Sequence, residues 1–399
     1  MTELEPTSHD GTLVAEALPR AVLFLTHALS LGGVTTHMTV LGRELVRRGI
    51  RVGVVTHELN EREPFGLPIY REAGLEVFQA PFAGYGLNWL GLRRTVRSVR
   101  RMRQIVRTFE PDLLHVHAPT LCLVARALRR PYVTTFHISV TGPKKCQIAR
   151  AANRLLSRPF GRCVIAISNH LAADLEQRLC MPRETIRLVT YTVDDTRFSA
   201  PTPAERELAR ATLGVPSGSF VIGMVAGLEP RKNHGLLLDA LGLLKQQGTT
   251  VVALLAGGGG WHEYSEAVRV HAASLGLGNS ARFLGHAPAS QVYHASDVFV
   301  LTSRQEGFPL SVIEAMLSGL VPIRTPSEGA DEQIIDGETG YIVPFDRPDI
   351  LAERISTLAG NPALRQRMSD AAQRSVRLRF RAGRMADETL EVYREALGR

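Results

Sequence analysis

Residues 298–340 read VFVLTSRQEGFPLSVIEAMLSGLVPIRTPSEGADEQIIDGETG. Val298–Thr302 is a short, apolar run of the kind that forms a strand buried on both faces. Ser303–Phe308 reads as a loop, and Pro309 is predicted in the first turn of a helix, where its missing N–H is not needed. On that helix Leu310, Ile313, Met316, Leu317 and Leu320 supply the core-facing side, while Ser311, Glu314 and Ser318 fall on a separate polar stripe. Val321–Arg324 then restarts a strand. Glu306 sits in the loop and Glu314 projects from the helix, so both are expected to face one cleft. The N–H groups at the helix start, those of Leu310 and Ser311 among them, are expected to point toward an anion such as a diphosphate.

The same alternation runs outward in both directions. Phe220–Ala226 and Val251–Ala256 read as strands ahead of the quoted stretch. In the first half, Ala21–Thr26 is a strand, Ser30–Gly33 a glycine-containing loop, and the following helix runs to Arg48 and stops at Gly49, a natural C-terminal glycine. Arg51–Thr56, Leu113–His117, Tyr132–His137 and Val164–Ser168 continue the series. Asp194–Glu205 (DDTRFSAPTPAE) is polar and proline-bearing and reads as a linker. Strands alternating with helices in both halves predict an α/β protein of two Rossmann-like doubly wound domains facing a central cleft, with the ligand at the C-terminal strand ends. The expected division is a loose arm over 1–18, a first domain over 19–195, a second over 196–378 and a C-terminal helix over 379–399 that packs back on the first domain.

The length of 399 residues fits two domains rather than one core. The hydrophobic share of 44% and charged share of 22% are those of a globular chain. No apolar run is long enough to span a bilayer. Residues 1–18 lack the basic leader and apolar stretch of a signal peptide, so a cytoplasmic location is expected. Cys122, Cys146, Cys163 and Cys180 have no C-x-x-C spacing and are expected as reduced thiols, with neither zinc nor redox chemistry. The net charge of +8 is unevenly placed. Between Trp89 and Phe109, Leu92, Val96, Val99, Met102, Val106 and Phe109 repeat at helical spacing. Arg93, Arg94, Arg97, Arg100, Arg101, Arg103 and Arg107 fill the gaps. This cationic face is either solvated or a peripheral contact with an anionic membrane or acceptor. No nucleic-acid module accompanies it.

Glu306 and Glu314, within EGFPLSVIEAM, form an E-x7-E element, and the chain resembles the retaining GT-B glycosyltransferases of family 4 from about Ala21 onward. The resemblance implies that Glu306 binds hydroxyls of a donor sugar and Glu314 the ribose of its nucleotide. Gly307, Phe308, Leu310 and Ser311 complete that donor loop. LGGVTTH (Leu31–His37) is similar to the family's glycine loop, with Gly33 near the donor phosphate and Gly32, Gly33 and His37 on the acceptor side. PDLLHVH and VTTFH are also family-like. They place His137 as the active-site histidine beside the sugar, with His115 and His117 as alternatives. No D-x-D occurs, in keeping with a family that holds its diphosphate without a divalent ion, and neither a metal nor a cofactor is expected. The resemblance implies transfer of a hexose from a nucleoside-diphosphate sugar, UDP-linked first and GDP-mannose second. The acceptor is a hydroxyl of a glycan, a lipid-linked sugar or a small molecule.

Two positions depart from the family. GLEPRKNHGLLLDA (Gly227–Ala240) keeps the diphosphate lysine as Lys232 but has Gly227 where the family has arginine. Losing such a charge-assisted hydrogen bond removes roughly 1.5–3 kcal/mol. Arg231 and Arg304 are the two candidates to replace it. Tyr191-Thr192 stands where the family has Asn-Gly. Gly227 keeps open a second reading, a degenerate GT-B protein that binds nucleotide sugar or partners without turnover.

Overall fold

A computed structural model describes residues 18–27, 32–57, 67–80, 89–138, 147, 148, 150, 151, 159–258 and 261–398, the side chains of 57, 67 and 89–96 excepted. Residues 1–17 of the expected arm, Ser30 and Leu31 of the glycine loop, Cys146 and the side chains of Leu92, Arg93, Arg94 and Val96 lie outside that description, whereas Leu18 packs against the core of the first unit.

The first sheet comprises β1 (Ala21–Leu25), β2 (Arg51–His57), β3 (Glu76–Ala80), β4 (Leu113–Val116), β5 (Tyr132–Phe136), β6 (Val164–Ala166) and β7 (Ile186–Leu188). The second comprises β8 (Phe220–Val225), β9 (Val251–Ala256), β10 (Ala281–Gly285), β11 (Val298–Leu301), β12 (Val321–Arg324) and β13 (Tyr341–Ile342). Their orders are β3-β2-β1-β4-β5-β6-β7 and β10-β9-β8-β11-β12-β13, and each paired strand is parallel to its neighbour. Both sheets therefore reverse direction beside their first strand, between β1 and β4 and between β8 and β11, which opens a crevice at the C-terminal strand ends. Strands such as β1 (AVLFL) and β9 (VVALLA) are buried along their whole length, as helices on both faces of a parallel sheet require.

The chain crosses between the two units twice. Residues 194–202 make the first crossing, and the linker ends earlier than expected. Thr202 and Glu205 form a capping box that starts the helix Pro203–Thr212. The second crossing follows the helix Pro362–Arg379, and Thr192 Oγ1 donates to Phe380 O at 2.5 Å beside it. The last helix, Ala382–Leu397, then lies on the first unit. Its Met385, Ala386, Leu390 and Tyr393 share a core with Val22, Phe24, Met38 and Leu41, each large side chain contributing about 1.5–3 kcal/mol by burial.

Four strands have no counterpart in the sequence reading: β3, β7, β10 and β13. They are short, each is partly exposed, and all four are the edge strands of their sheets, where the apolar signal is weak. Several strands that were read stop a residue or two sooner than expected, β5 at Phe136 and β11 at Leu301. Pro309 is not in the first helical turn but is the N-cap of Leu310–Leu317, with extended backbone (φ −68°, ψ 113°). The helix Trp89–Phe109 forms as read, burying Met102, Ile105, Val106 and Phe109, while Arg97, Arg100, Arg101, Arg103 and Arg107 are exposed.

Candidate functional site

The switch point of the second sheet brings two charged side chains together. Lys232 closes a 3-10 turn, Pro230–Lys232, after β8, and Glu306 lies on the loop after β11. Their side chains meet at 2.5 Å, Lys232 Nζ donating to Glu306 Oε1, and both are buried. Thr302 Oγ1 fixes the lysine turn by donating to the carbonyls of Lys232 and Asn233, at 3.1 and 2.9 Å. Burial pushes the Glu306 carboxyl upward, but the Lys232 ammonium and the Arg231 guanidinium outweigh it and hold the group below the usual carboxylate range. Burial likewise draws the Lys232 ammonium down, with Glu306 opposing. Both groups stay charged at neutral pH as a compact, preorganised pair.

Arg231 completes the cluster. Its guanidinium donates to Glu229 at 2.7 and 3.0 Å and to Glu306 Oε2 at 3.3 Å. Arg304 is instead exposed and paired with Asp346. Of the two arginines considered as replacements for the one missing at 227, only Arg231 reaches Glu306. Gly227 has a local reason as well. A Cβ there would sit 3.1 Å from Gly258 O and 3.4 Å from Glu229 Oε1, so the glycine leaves room for the carboxylate that turns Arg231.

Glu314 lies about one turn into the helix Leu310–Leu317. Its carboxylate accepts from Tyr293 Oη at 2.7 Å, and burial, partly opposed by that hydrogen bond, raises its pKa. The two glutamates of the E-x7-E element thus have different partners, Lys232 and Arg231 for Glu306 and Tyr293 for Glu314. Phe308 and Leu310 are buried and Ser311 is half-buried.

Across the seam stands a cluster of histidines from the first unit. His37 comes from the helix Gly33–Arg47, His115 from β4, and His117 and His137 from the ends of β4 and β5. His137 Nε2 lies 3.3 Å from His117 Nδ1 and 3.5 Å from Tyr191 Oη, and His37 stacks on Tyr191 at 4.1 Å. His115 is tied to Tyr393 Oη at 2.7 Å and Thr135 Oγ1 at 2.6 Å, a structural role. Burial lowers all four; His137 and His115 fall to about 3, so the rings are neutral at physiological pH. Both nitrogens of His37, Nε2 of His117 and Nδ1 of His137 are buried without a protein partner among the described residues. Tyr191, read from sequence only as a departure from a turn, closes this cluster. Its neighbour Thr192 secures the second crossing.

The two halves meet closely here. A Cβ on Gly307 would fall on the carbonyl oxygen of His137, and a Cβ on Gly33 would lie 4.0 Å from Leu310 Cδ1. No side chain fits at 307, which is why the loop EGFP carries glycine at its tip. A second contact lies beside the crossings. Glu332 accepts from Asn169 N at 2.9 Å through both oxygens and from Asn169 Nδ2 at 2.9 Å, placing a carboxylate at the N-terminus of the helix Asn169–Leu179. Among the described residues no three His, Cys, Asp or Glu side chains are arranged to hold a metal ion, Cys122, Cys163 and Cys180 are not joined in disulfides, and no helix is long and apolar enough to cross a membrane.

Comparison with known proteins matches residues 31–197 to the model "Glycosyltransferase Family 4" and residues 205–375 to "Glycosyl transferases group 1". A D-inositol 3-phosphate glycosyltransferase of Saccharomonospora viridis is 30% identical over 92% of this chain and 90% of its own length. A phosphatidyl-myo-inositol mannosyltransferase of Mycobacterium tuberculosis is 27% identical over 92% of this chain and 94% of its own. The crystal structure of Anabaena HepE in complex with UDP and glucose superposes with a TM-score of 0.81 at 22% identity, covering 94% of this chain and 100% of that one. Two parallel sheets with a shared crevice, an E-x7-E element at the second switch point and near full-length kinship together settle the family: this chain belongs to the family 4-like glycosyltransferases of the GT-B fold.

Proposed function

We propose that the chain transfers a hexose, with retention and without a metal ion, from a nucleoside-diphosphate sugar to an acceptor hydroxyl. The observation that carries this reading is the buried Lys232–Glu306 pair at the β8/β11 switch point, facing His137 across the Gly307 contact. Glu306 takes sugar hydroxyls, and Glu314, beside Tyr293, takes the ribose. As the glycosidic bond breaks, negative charge builds on the diphosphate. Lys232 uses one of its three N–H donors on Glu306 and has others for that charge, together with the first-turn N–H groups of Leu310 and Ser311. Arg231 supplies the guanidinium that Gly227 lacks. His137, neutral and with Nδ1 unpartnered, hydrogen-bonds the sugar, and Gly32, Gly33 and His37 border the acceptor. A UDP-sugar is the first choice, supported by the UDP and glucose bound to HepE; GDP-mannose is the second, supported by the mannosyltransferase relative. The exposed arginines of Trp89–Phe109 suit an anionic membrane surface, and with it a lipid-linked or glycan acceptor made at the cytoplasmic face.

A thermal-shift panel of nucleotide sugars tests the donor site. A ligand at a hundred times its dissociation constant stabilises the native state by about 2.7 kcal/mol. The shift should vanish in Lys232→Ala and Glu314→Ala, and no shift with any sugar nucleotide would overturn the reading. Because of Gly227, a donor that binds yet is neither hydrolysed nor transferred would favour the degenerate, non-catalytic alternative.

A further inference from the structure

Arg324, at the end of β12, is wholly buried. A buried guanidinium is costly unless every donor is satisfied, and its acceptors all lie on the segment that follows it. Nε donates to Thr325 O at 3.3 Å and Nη1 to Gln333 Oε1 at 2.5 Å. Nη2 donates to Ser327 O, Ser327 Oγ and Glu328 O at 3.0, 2.8 and 3.1 Å. The segment so held reaches the donor loop at two points. Gln333 Nε2 donates to Pro309 O at 2.9 Å, at the cap of the helix Leu310–Leu317. Glu328 Oε2 accepts the backbone N–H of Glu306 at 2.7 Å. Gly329, with φ 74°, makes the turn that brings the segment against Phe308, 2.9 Å from where its Cβ would be. The side chain of Glu306 is thus set by Lys232 and Arg231 and its backbone by Glu328.

We propose that Glu328 is a positioning residue for Glu306, anchored by the buried Arg324, and that it governs recognition of the donor's sugar but not of its nucleotide. This rests on the reading of Glu306 as the sugar-binding carboxylate. A charge-assisted hydrogen bond to a backbone N–H fixes the loop with an acceptor that an amide oxygen reproduces only in part. Loss of it leaves Glu306 paired to Lys232 but free to tilt.

The test is isothermal titration of UDP-glucose against UDP, and of GDP-mannose against GDP, on wild type, Glu328→Ala, Glu328→Gln, Arg324→Lys and Glu306→Gln. The informative quantity is the affinity ratio of sugar nucleotide to parent nucleotide. Glu328→Ala should lower it roughly tenfold, the scale of one charge-assisted hydrogen bond, with the parent nucleotide unaffected, and Glu328→Gln should recover part of it. Arg324→Lys, which keeps the charge but loses the fork, should act as Glu328→Ala does and serves if that variant fails to fold. An unchanged ratio, or equal weakening of both ligands, overturns the proposal. If Glu306→Gln also leaves the ratio unchanged, or neither ligand pair binds wild type, it is the donor-site reading that has failed.

Discussion

Replacing Lys232 with methionine isolates the ion pair at the centre of the site. Lys232 and Glu306 are 9% and 4% exposed, so the variant leaves a carboxylate buried without its nearest counter-charge. Removing one partner of a buried pair costs about 3–5 kcal/mol. Arg231 remains 3.3 Å from Glu306 Oε2, which places the expected loss near the low end, about 3 kcal/mol. For a unit of this size that corresponds to a fall in Tm of roughly 6–12 °C. The pH dependence carries the sign. In the wild type the depressed Glu306 pKa contributes stability that is present above the unfolded carboxyl range and is lost as pH falls through the folded value. Without the ammonium, burial dominates and the carboxyl moves upward, so the deficit of Lys232→Met is greatest at neutral pH and narrows toward pH 4. Urea unfolding of wild type, Lys232→Met, Glu306→Gln and the double variant at pH 7.5 and pH 5 measures both the loss and the coupling. A deficit below about 1 kcal/mol, equal at the two pH values, would refute the claim that this pair is buried and mutually dependent.

Gly307→Ala sets a methyl group against the His137 carbonyl. Overpacking of about 1–3 kcal/mol should reduce turnover roughly 10- to 100-fold and enlarge the particle in small-angle scattering, and wild-type kinetics would dispose of the contact. Glu332→Ala removes the carboxylate at the N-terminus of Asn169–Leu179 while the Ser168 cap remains. It should cost about 0.3–1 kcal/mol, with Glu332→Gln milder, and equal stability of all three in denaturant would show that the carboxylate does not stabilise that helix. Lowered histidine pKa values, about 3 for His115 and His137 and about 4 for His234, mean that the unfolded chain binds more protons below its own histidine pKa. Stability should therefore fall as pH drops from about 6.5 toward 4, by up to roughly 1.4 kcal/mol per pH unit for each buried histidine. A flat profile over pH 6.5–5 would contradict their burial.

Much of this protein is determined by local sequence. The strands β1, β8, β9 and β11 are continuous apolar runs, and their period distinguishes them from the amphipathic helices between them. That alternation already implies two doubly wound sheets, and the E-x7-E spacing marks the switch point of the second. What tertiary structure decided concerns partners far apart in the chain. Lys232 meets Glu306 only because β8 and β11 are neighbours, an adjacency that sequence order does not state. The choice of Arg231 over Arg304 depends on which way a turn sends a flexible side chain. Tyr191 against His37, Glu328 beneath Glu306 and Glu332 on Asn169 are contacts between segments that carry no periodic signal. Short strands such as β13 are held by their neighbours in the sheet rather than by their own composition. Hydrophobic patterning is a property of single segments and is written along the chain, whereas hydrogen-bond and charge complementarity belong to pairs and exist only once the sheets have formed and closed on one another.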